Sequence, residues 1–125
     1  MNILTNFLAP QQAAVLKDLI KGEEGKFFAE AVQQLEYRIK TMPQTYETDG
    51  QGDKAIAYLH YFKGGYDFYV TEKDQEAVQH QAFGLVSGHA VELGYISIEE
   101  LKANNVEIDL HFEPTTIGEL KKKHK

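Results

Sequence analysis

The first third of the chain has the apolar spacing of two amphipathic helices. Pro10 suits the first turn of a helix and Gly22 can end it, so one helix is predicted between them. A second helix is predicted from about residue 26 to 41, and Pro43 stops it. The apolar positions that repeat at helical spacing are Val15, Leu16, Leu19 and Ile20 in the first helix and Phe28, Ala31, Val32, Leu35 and Ile39 in the second.

Beyond a polar, glycine-bearing loop at 44–53, the apolar pattern changes from helical spacing to alternation. Apolar and polar residues alternate through much of the segment 55–114, which is typical of antiparallel strands. The predicted strands are 55–62, 67–71, 81–87, 92–96 and 106–112. The first carries apolar or aromatic groups at both parities, which indicates burial on both sides. The last alternates most cleanly and is the strongest strand prediction in the chain.

Turn and cap residues separate these strands. The run 63–66 (KGGY) predicts a hairpin turn, because its two glycines accept positive φ without steric cost. Gly84, inside a predicted strand, indicates a bulge or a close backbone approach. Ser97 and Glu100 fit a capping box that begins a short helix ending near Ala103. The run 116–119 opens a last short helix.

Together these elements predict one α+β domain over residues 1–125. Residues 1–42 form a helical N-terminal part, and residues 54–120 form a sheet-rich core. The expected architecture is an antiparallel sheet of about five strands. Two N-terminal helices and the short helices near the C-terminus pack on it, and all of them are expected on one face.

The charge of the chain is uneven. The net charge is −6, yet four of the thirteen basic residues lie in the last five positions, which leaves a markedly acidic body. An acidic body repels phosphate backbones, so direct nucleic-acid binding through it is disfavoured. It attracts basic protein surfaces instead.

Several classes of function lack their usual motifs. The chain has no cysteine, which excludes disulfides and thiolate chemistry and fits the cytoplasm. No apolar run is long enough to cross a membrane, and the N-terminus lacks the pattern of a secretory signal. Neither a nucleophile elbow, a P-loop nor a dinucleotide fingerprint occurs, so no cofactor is expected.

Four runs of the sequence, LHYFKGGYDFYVTEKD, AFGLV, ELGYISIEEL and DLHFEP, resemble the family known as domain of unknown function 2958 (DUF2958). The run KTMPQTYETDGQGD is similar to a segment that often precedes this pattern in members from phages, plasmids and large polyvalent proteins of mobile elements. The resemblance covers roughly residues 40–120, and a tryptophan is common where Phe68 stands here. It implies a mobile-element setting and brings no activity or catalytic residues with it.

The preferred hypothesis is a non-catalytic binding protein that contacts a host protein. One form of it is an anti-defence inhibitor whose carboxylates stand where the phosphates of a nucleic acid would bind. The candidate contact residues are the carboxylates Glu72, Asp74, Glu92, Asp109 and Glu113, with Tyr66 and Tyr69 as aromatic anchors.

The alternative hypothesis is a small metal-dependent hydrolase acting on nucleotide or nucleic acid. It would use His60 and His111, which both lie on predicted strands, with Glu72 and Asp109. The histidines lack the local spacing of a zinc site, so no metal site is assigned. A third hypothesis is an accessory domain that serves only folding or assembly. The sequence leaves the oligomeric state open.

Overall fold

The structure, a computed structural model, describes residues 3–124 as four helices and seven strands, with short 3₁₀ turns at Leu4–Asn6 and Gly52–Lys54. The elements are α1 (Pro10–Lys21), α2 (Gly25–Thr41), β1 (Ile56–Ala57), β2 (Leu59–Lys63), β3 (Tyr66–Glu72), β4 (Ala82–Ser87), β5 (Val91–Ile96), α3 (Ile98–Ala103), β6 (Glu107–Ile108), β7 (Thr115–Thr116) and α4 (Ile117–Lys123). Both predicted N-terminal helices are therefore confirmed.

The main sheet has five antiparallel strands in the order β5-β4-β3-β2-β6, and β1 and β7 form a separate antiparallel pair. The α+β architecture predicted from the sequence is confirmed. The hairpin between β2 and β3 closes with Lys63 opposite Tyr66, and Gly64 takes φ +58 there. This is the positive φ for which glycine has no steric penalty.

The larger hydrophobic core lies between the N-terminal helices and one face of the sheet. Leu16 of α1 and Leu35 of α2 pack in one buried cluster with Leu59, Tyr61 and Val70 of the sheet. The two apolar residues of α3, Ile98 and Leu101, join the same cluster. The core-facing residues of α2, with Leu16 and Ile20 of α1, thus find the partner surface that makes an amphipathic helix stable. Val15 and Leu19 of the predicted α1 stripe are instead exposed.

A second, smaller core covers the opposite face, so the expectation that all helices share one face is wrong. Ile117 and Leu120 of α4 are buried with Tyr69 of β3 and Leu85 of β4. The side chains of a strand point alternately to its two faces, and β3 and β4 carry apolar groups at both parities. Their second face therefore needs a cover, and α4 supplies it.

The predicted strand 55–62 is interrupted at Tyr58 and forms β1 and β2 instead of one strand. Residues of the same parity pack in different cores: Ala57 lies in the smaller one, and Leu59 lies in the larger one. A regular strand cannot place such residues on two faces, so the chain changes face at this point. The segment is buried on both sides, as expected, because β1 and β2 contribute to different cores.

The predicted strand 106–112 is also shorter than expected, since only Glu107–Ile108 pairs with β2. After Ile108 the Asp109 carboxylate accepts a hydrogen bond from the His111 amide at 2.9 Å, which turns the chain. Leu110 then packs against the larger core and Phe112 against the smaller one. The alternation is present in the sequence, but it does not correspond to one strand.

Gly84 makes the close backbone approach that its position predicted. A Cβ at Gly84 would stand 1.8 Å from the carbonyl oxygen of Tyr69 on β3. The β3–β4 register also shifts between Val70 and Glu72. Only glycine allows β4 to lie this close to the irregular part of β3.

Helix caps fix the last two helices. Ser97 Oγ accepts a hydrogen bond from the Glu100 amide, which is the hydroxyl half of the predicted capping box. Thr116 Oγ1 accepts one from the Glu119 amide at the start of α4. None of the helices among residues 3–124 has the length and apolar character that a membrane crossing requires.

Candidate functional site

Glu72, one of the predicted contact carboxylates, is buried and holds a loop. Its Oε1 accepts from the Tyr46 amide at 3.0 Å, and its Oε2 accepts from the Thr48 amide at 2.6 Å and from the Thr48 hydroxyl. Charge-assisted hydrogen bonds of this kind are strong and directional. Glu72 therefore fixes the loop that follows α2 and is not presented to a partner.

Asp74, a second predicted contact carboxylate, is also buried and used internally. It accepts hydrogen bonds from the amides of Glu76 (3.1 Å), His80 (3.1 Å) and Gln81 (2.9 Å). Burial alone would raise the pKa of Asp74, but the amide donors together lower it. The carboxylate stays charged because the loop between β3 and β4 folds around it.

The remaining predicted carboxylates do not share a surface. Glu92 is exposed on β5, whereas Asp109 lies beyond β2 at the other edge of the sheet. Four strand spacings separate these edges, which is roughly 19 Å. Glu92 pairs with Val86, which belongs to the face of the larger core, and Asp109 lies on the other face beside His60. Glu113 is exposed in the turn after Asp109.

Of the two predicted aromatic anchors, one is buried and the other is exposed. Tyr69 is buried in the smaller core, and its hydroxyl lies 2.6 Å from His124 Nε2. Burial, and then the negative charges of Asp67 and Asp109, raise the pKa of Tyr69 to about 12. Tyr66 remains 39% exposed beside the hairpin, with its ring against those of Phe68 and His89.

The alternative cluster assembles in part, around His60. Its Nδ1 lies 3.2 Å from Asp109 Oδ2, and its Nε2 lies 2.7 Å from Asp67 Oδ1. The ring stacks on Tyr69 with centroids 4.5 Å apart and planes 10° from parallel. Both ring nitrogens are therefore engaged, and the imidazole bridges two carboxylates that belong to different strands or turns.

Glu72 and His111 do not join this cluster. Glu72 holds its loop at the far end of β3, and His111 is exposed with its ring 5.6 Å from Phe27 of α2. Within residues 3–124 no group of three or more His, Asp or Glu side chains is placed to hold a metal ion. Of the four residues named for a metal-dependent hydrolase, only His60 and Asp109 are thus brought together.

The His60 network continues to the C-terminal helix. The Tyr69 hydroxyl meets His124 Nε2, and His124 Nδ1 lies 3.2 Å from Ser87 Oγ on β4. This chain of contacts fixes the end of α4 against the centre of the sheet. Tyr69 and Ser87 are buried, His60 and His124 are half-buried, and the network orders Asp67 and Asp109.

A surface that the sequence did not indicate lies next to this network, around Phe62. In the β6-β2-β3 pairing, Phe62 stands opposite Glu107 on one side and Asp67 on the other. Residues paired across antiparallel strands share a face, so an exposed phenyl ring (39%) lies between two carboxylates. We call Phe62, Glu107, Asp67 and Asp109 the Phe62 patch.

A depression of about 370 Å³ borders the Phe62 patch. Phe62 and Glu107 line it from the sheet, and Gln12 and the exposed Val15 line it from α1. It is large enough to receive one long side chain of a partner. Alternation along β2 places Phe62 on the face of His60, and the two-glycine turn places Asp67 opposite it. Glu107 follows from the pairing of β2 with β6, which no local pattern reveals.

A second depression, of about 320 Å³, lies between the loop after α2 and the outer face of β4 and β5. The Tyr46 and Tyr95 hydroxyls meet there at 2.9 Å. Glu72 reaches it as well, but its oxygens already accept hydrogen bonds from that loop. The side chains of Tyr46, Tyr95 and Glu72 are thus partnered within the fold.

No family model, curated protein or solved structure matches the chain. The resemblance drawn from the four sequence runs therefore stays a prediction.

Proposed function

We propose that this chain is a non-catalytic protein-binding domain whose Phe62 patch contacts a basic surface of a partner protein. The observation that carries the proposal is the position of Phe62, exposed in one cross-strand row between Glu107 and Asp67. A phenyl ring supplies apolar contact area, and the flanking carboxylates select lysine or arginine at the rim of the contact.

The patch is ordered before any partner arrives. His60 holds both Asp67 and Asp109, and its ring is fixed by stacking on Tyr69. Side chains that are already ordered lose less conformational entropy on binding, which favours affinity. The net charge of −6 adds long-range attraction toward a basic partner and raises the association rate.

The finer parts of the proposal rest on the resemblance to DUF2958. It suggests a mobile-element protein that acts in the cytoplasm on a host protein, with anti-defence inhibition as one form. Because Glu72 and Asp74 are buried, a mimic of nucleic-acid charge would use the carboxylates of the Phe62 patch.

Affinity capture from a host-cell lysate tests the proposal, with immobilised wild-type protein compared with the variants Phe62→Ala and Glu107→Lys. We expect a stoichiometric partner that wild-type protein retains at low salt, releases at high salt, and that both variants lose. Tyr37→Ala is the matched control, because Tyr37 is a 70% exposed aromatic residue on α2, away from the patch.

Circular dichroism and thermal unfolding of each variant separate loss of binding from loss of fold. The proposal fails if wild-type protein captures no stoichiometric partner at either salt concentration. It also fails if folded Phe62→Ala and Glu107→Lys retain the partner as well as Tyr37→Ala does.

A further inference from the structure

The edge strand β5 has a free hydrogen-bonding side. All six of its residues, Val91–Ile96, pair with β4 on one side. An antiparallel ladder uses only alternate main-chain groups, so the others point away from β4. Within residues 3–124 no hydrogen bond reaches those outward groups from another element.

The strand β5 is exposed over most of its length, and only Ile96 at its end is buried in the larger core. Val91, Leu93 and Tyr95 lie on one face and are 37%, 40% and 57% exposed, and Glu92 is exposed on the other. The loop after α2 reaches one face at Tyr95, where the Tyr46 and Tyr95 hydroxyls lie 2.9 Å apart. The outward main-chain groups of β5 have no hydrogen-bond partner from another element of residues 3–124.

The strand β5 lacks most of the usual protections of an edge strand, and its one charged residue is Glu92. It contains no lysine and no proline, and its register with β4 has no bulge. The opposite edge, by contrast, is closed by Gln12 of α1. Its side-chain Nε2 donates to the Ile108 carbonyl and its Oε1 accepts from the Ile108 amide, both at 2.8 Å.

The sequence of β5 is complementary to itself in the antiparallel direction. With Leu93 placed opposite its own copy, Val91 faces the partner's Tyr95, and all three apolar residues join one continuous strip. Aromatic and β-branched residues are favourable cross-strand pairs. On the other face Glu92 stands opposite the partner's Gly94, which has no side chain, so the two like charges lie on a diagonal and do not oppose each other.

We propose that β5 is a self-association edge, which pairs antiparallel with β5 of a second copy about a two-fold axis at Leu93. The two five-stranded sheets become one continuous sheet of ten strands, with the N-terminal helices of both copies on the same face. This surface is separate from the Phe62 patch, so the dimer and the partner contact can be tested independently.

The size of the contact sets the expected strength of the dimer. Stable protein interfaces bury about 1,200–2,000 Å² in total, and a six-residue edge pairing with one apolar strip buries less than that. A dissociation constant in the micromolar range is therefore expected. The association has to be measured over a concentration series up to high micromolar.

Sedimentation equilibrium of the full chain is the first test. We expect wild-type protein to approach twice the chain mass of 14.2 kDa as its concentration rises. Leu93→Lys places two like charges at the two-fold axis and should weaken the dimer at least about tenfold. Val78→Lys is the matched control, because Val78 is exposed in the loop before β4, outside the edge, and should leave the dimer unchanged.

A cysteine variant tests the register itself. The chain has no cysteine, so the thiol of Leu93→Cys can pair only with its own copy. Opposed residues of an antiparallel pair have Cα atoms about 4.5 or 5.5 Å apart, within the range that a disulfide spans. Mild oxidation should convert Leu93→Cys to a covalent dimer, and Val78→Cys much more slowly.

Three results would overturn the proposal, given that the variants keep the wild-type circular dichroism spectrum. The first is wild-type protein that stays monomeric throughout the concentration series. The second is a dimer that Leu93→Lys does not weaken. The third is equal rates of cross-linking for Leu93→Cys and Val78→Cys.

Discussion

The two edge strands of the main sheet, β6 and β5, differ in whether their outward main-chain groups have a hydrogen-bond partner. At β6 the Gln12 side chain satisfies the amide and the carbonyl of Ile108, as a neighbouring strand would. At β5 no such group is supplied within residues 3–124, and Val91, Leu93 and Tyr95 are exposed. An unpaired edge is a template for association, so the open edge β5 can pair with another strand and the closed edge β6 cannot.

The largest expected effect is a difference in stability between two glycine substitutions, one in β4, next to the open edge, and one in β5, the open edge itself. Gly84 and Gly94 face each other across β4 and β5. A Cβ at Gly84 would collide with the Tyr69 carbonyl, whereas a Cβ at Gly94 would meet nothing within 4 Å. We expect Gly84→Ala to lower the free energy of unfolding by ~3 kcal/mol and Gly94→Ala to change it by less than ~0.5 kcal/mol.

Urea denaturation of both glycine variants at one low protein concentration measures the difference. Similar losses of stability for the two would contradict the view that β4 is a packed central strand and β5 an open edge.

The next prediction compares Asp74, a carboxylate that accepts main-chain hydrogen bonds, with Glu92, a carboxylate on the open edge. Asp74 accepts three main-chain hydrogen bonds, whereas Glu92 on β5 accepts none from the described part of the chain. At neutral pH we expect Asp74→Asn to destabilise the protein by about 2 kcal/mol, since its amide group cannot accept from all three donors. Glu92→Gln is the control and should match wild-type protein.

The pH dependence of the Asp74 effect has a defined sign. The folded state lowers the pKa of Asp74, so its stabilisation is complete above the ordinary aspartate range and is lost as pH falls through the folded value. The difference in stability between wild-type protein and Asp74→Asn should therefore shrink on acidification. A difference that stays constant from neutral pH to strongly acidic pH would show that the carboxylate is not held in this way.

Removing the closure of the β6 edge is expected to have a smaller effect. Gln12→Ala leaves the Ile108 amide and carbonyl without their partner, at a cost of about 1–2 kcal/mol. Gln11→Ala is the matched control, because Gln11 is exposed on the same turn of α1 and its side chain makes no hydrogen bond in the described part of the chain. Equal unfolding midpoints for the two variants would mean that Gln12 does not close the edge.

The smallest change in the free energy of unfolding is expected when a residue of the open edge is substituted in the monomeric protein. Leu93→Lys should alter the free energy of unfolding by less than ~0.5 kcal/mol at a concentration where wild-type protein is monomeric. A loss of several kcal/mol, measured by urea denaturation, would mean that Leu93 is needed within the monomer.

Much of the fold could be predicted because its signals are local. Helical spacing together with Pro10 and Pro43 predicted α1 and α2 nearly to the residue, and two glycines predicted the β2–β3 hairpin. Gly84 and the Ser97 cap were also read correctly, since each acts through neighbouring backbone geometry.

The errors come from contacts between distant segments. Alternation through residues 106–112 did not reveal that Leu110 and Phe112 pack in different cores. Glu72 looked like an available carboxylate because the loop that buries it lies 24 to 26 residues earlier in the chain. Gln12 and Ile108 are 96 residues apart, so no sequence pattern could indicate that one closes the other's edge.

Amide hydrogen exchange, followed by NMR at low and high protein concentration, tests the difference between the edges most directly. We predict that the Ile108 amide exchanges slowly at both concentrations, because Gln12 holds it within each monomer. The outward amides of β5 should exchange rapidly when the protein is dilute and slow markedly as its concentration rises. Exchange at β5 that is slow when dilute, or that does not change with concentration, would contradict an open, self-pairing edge.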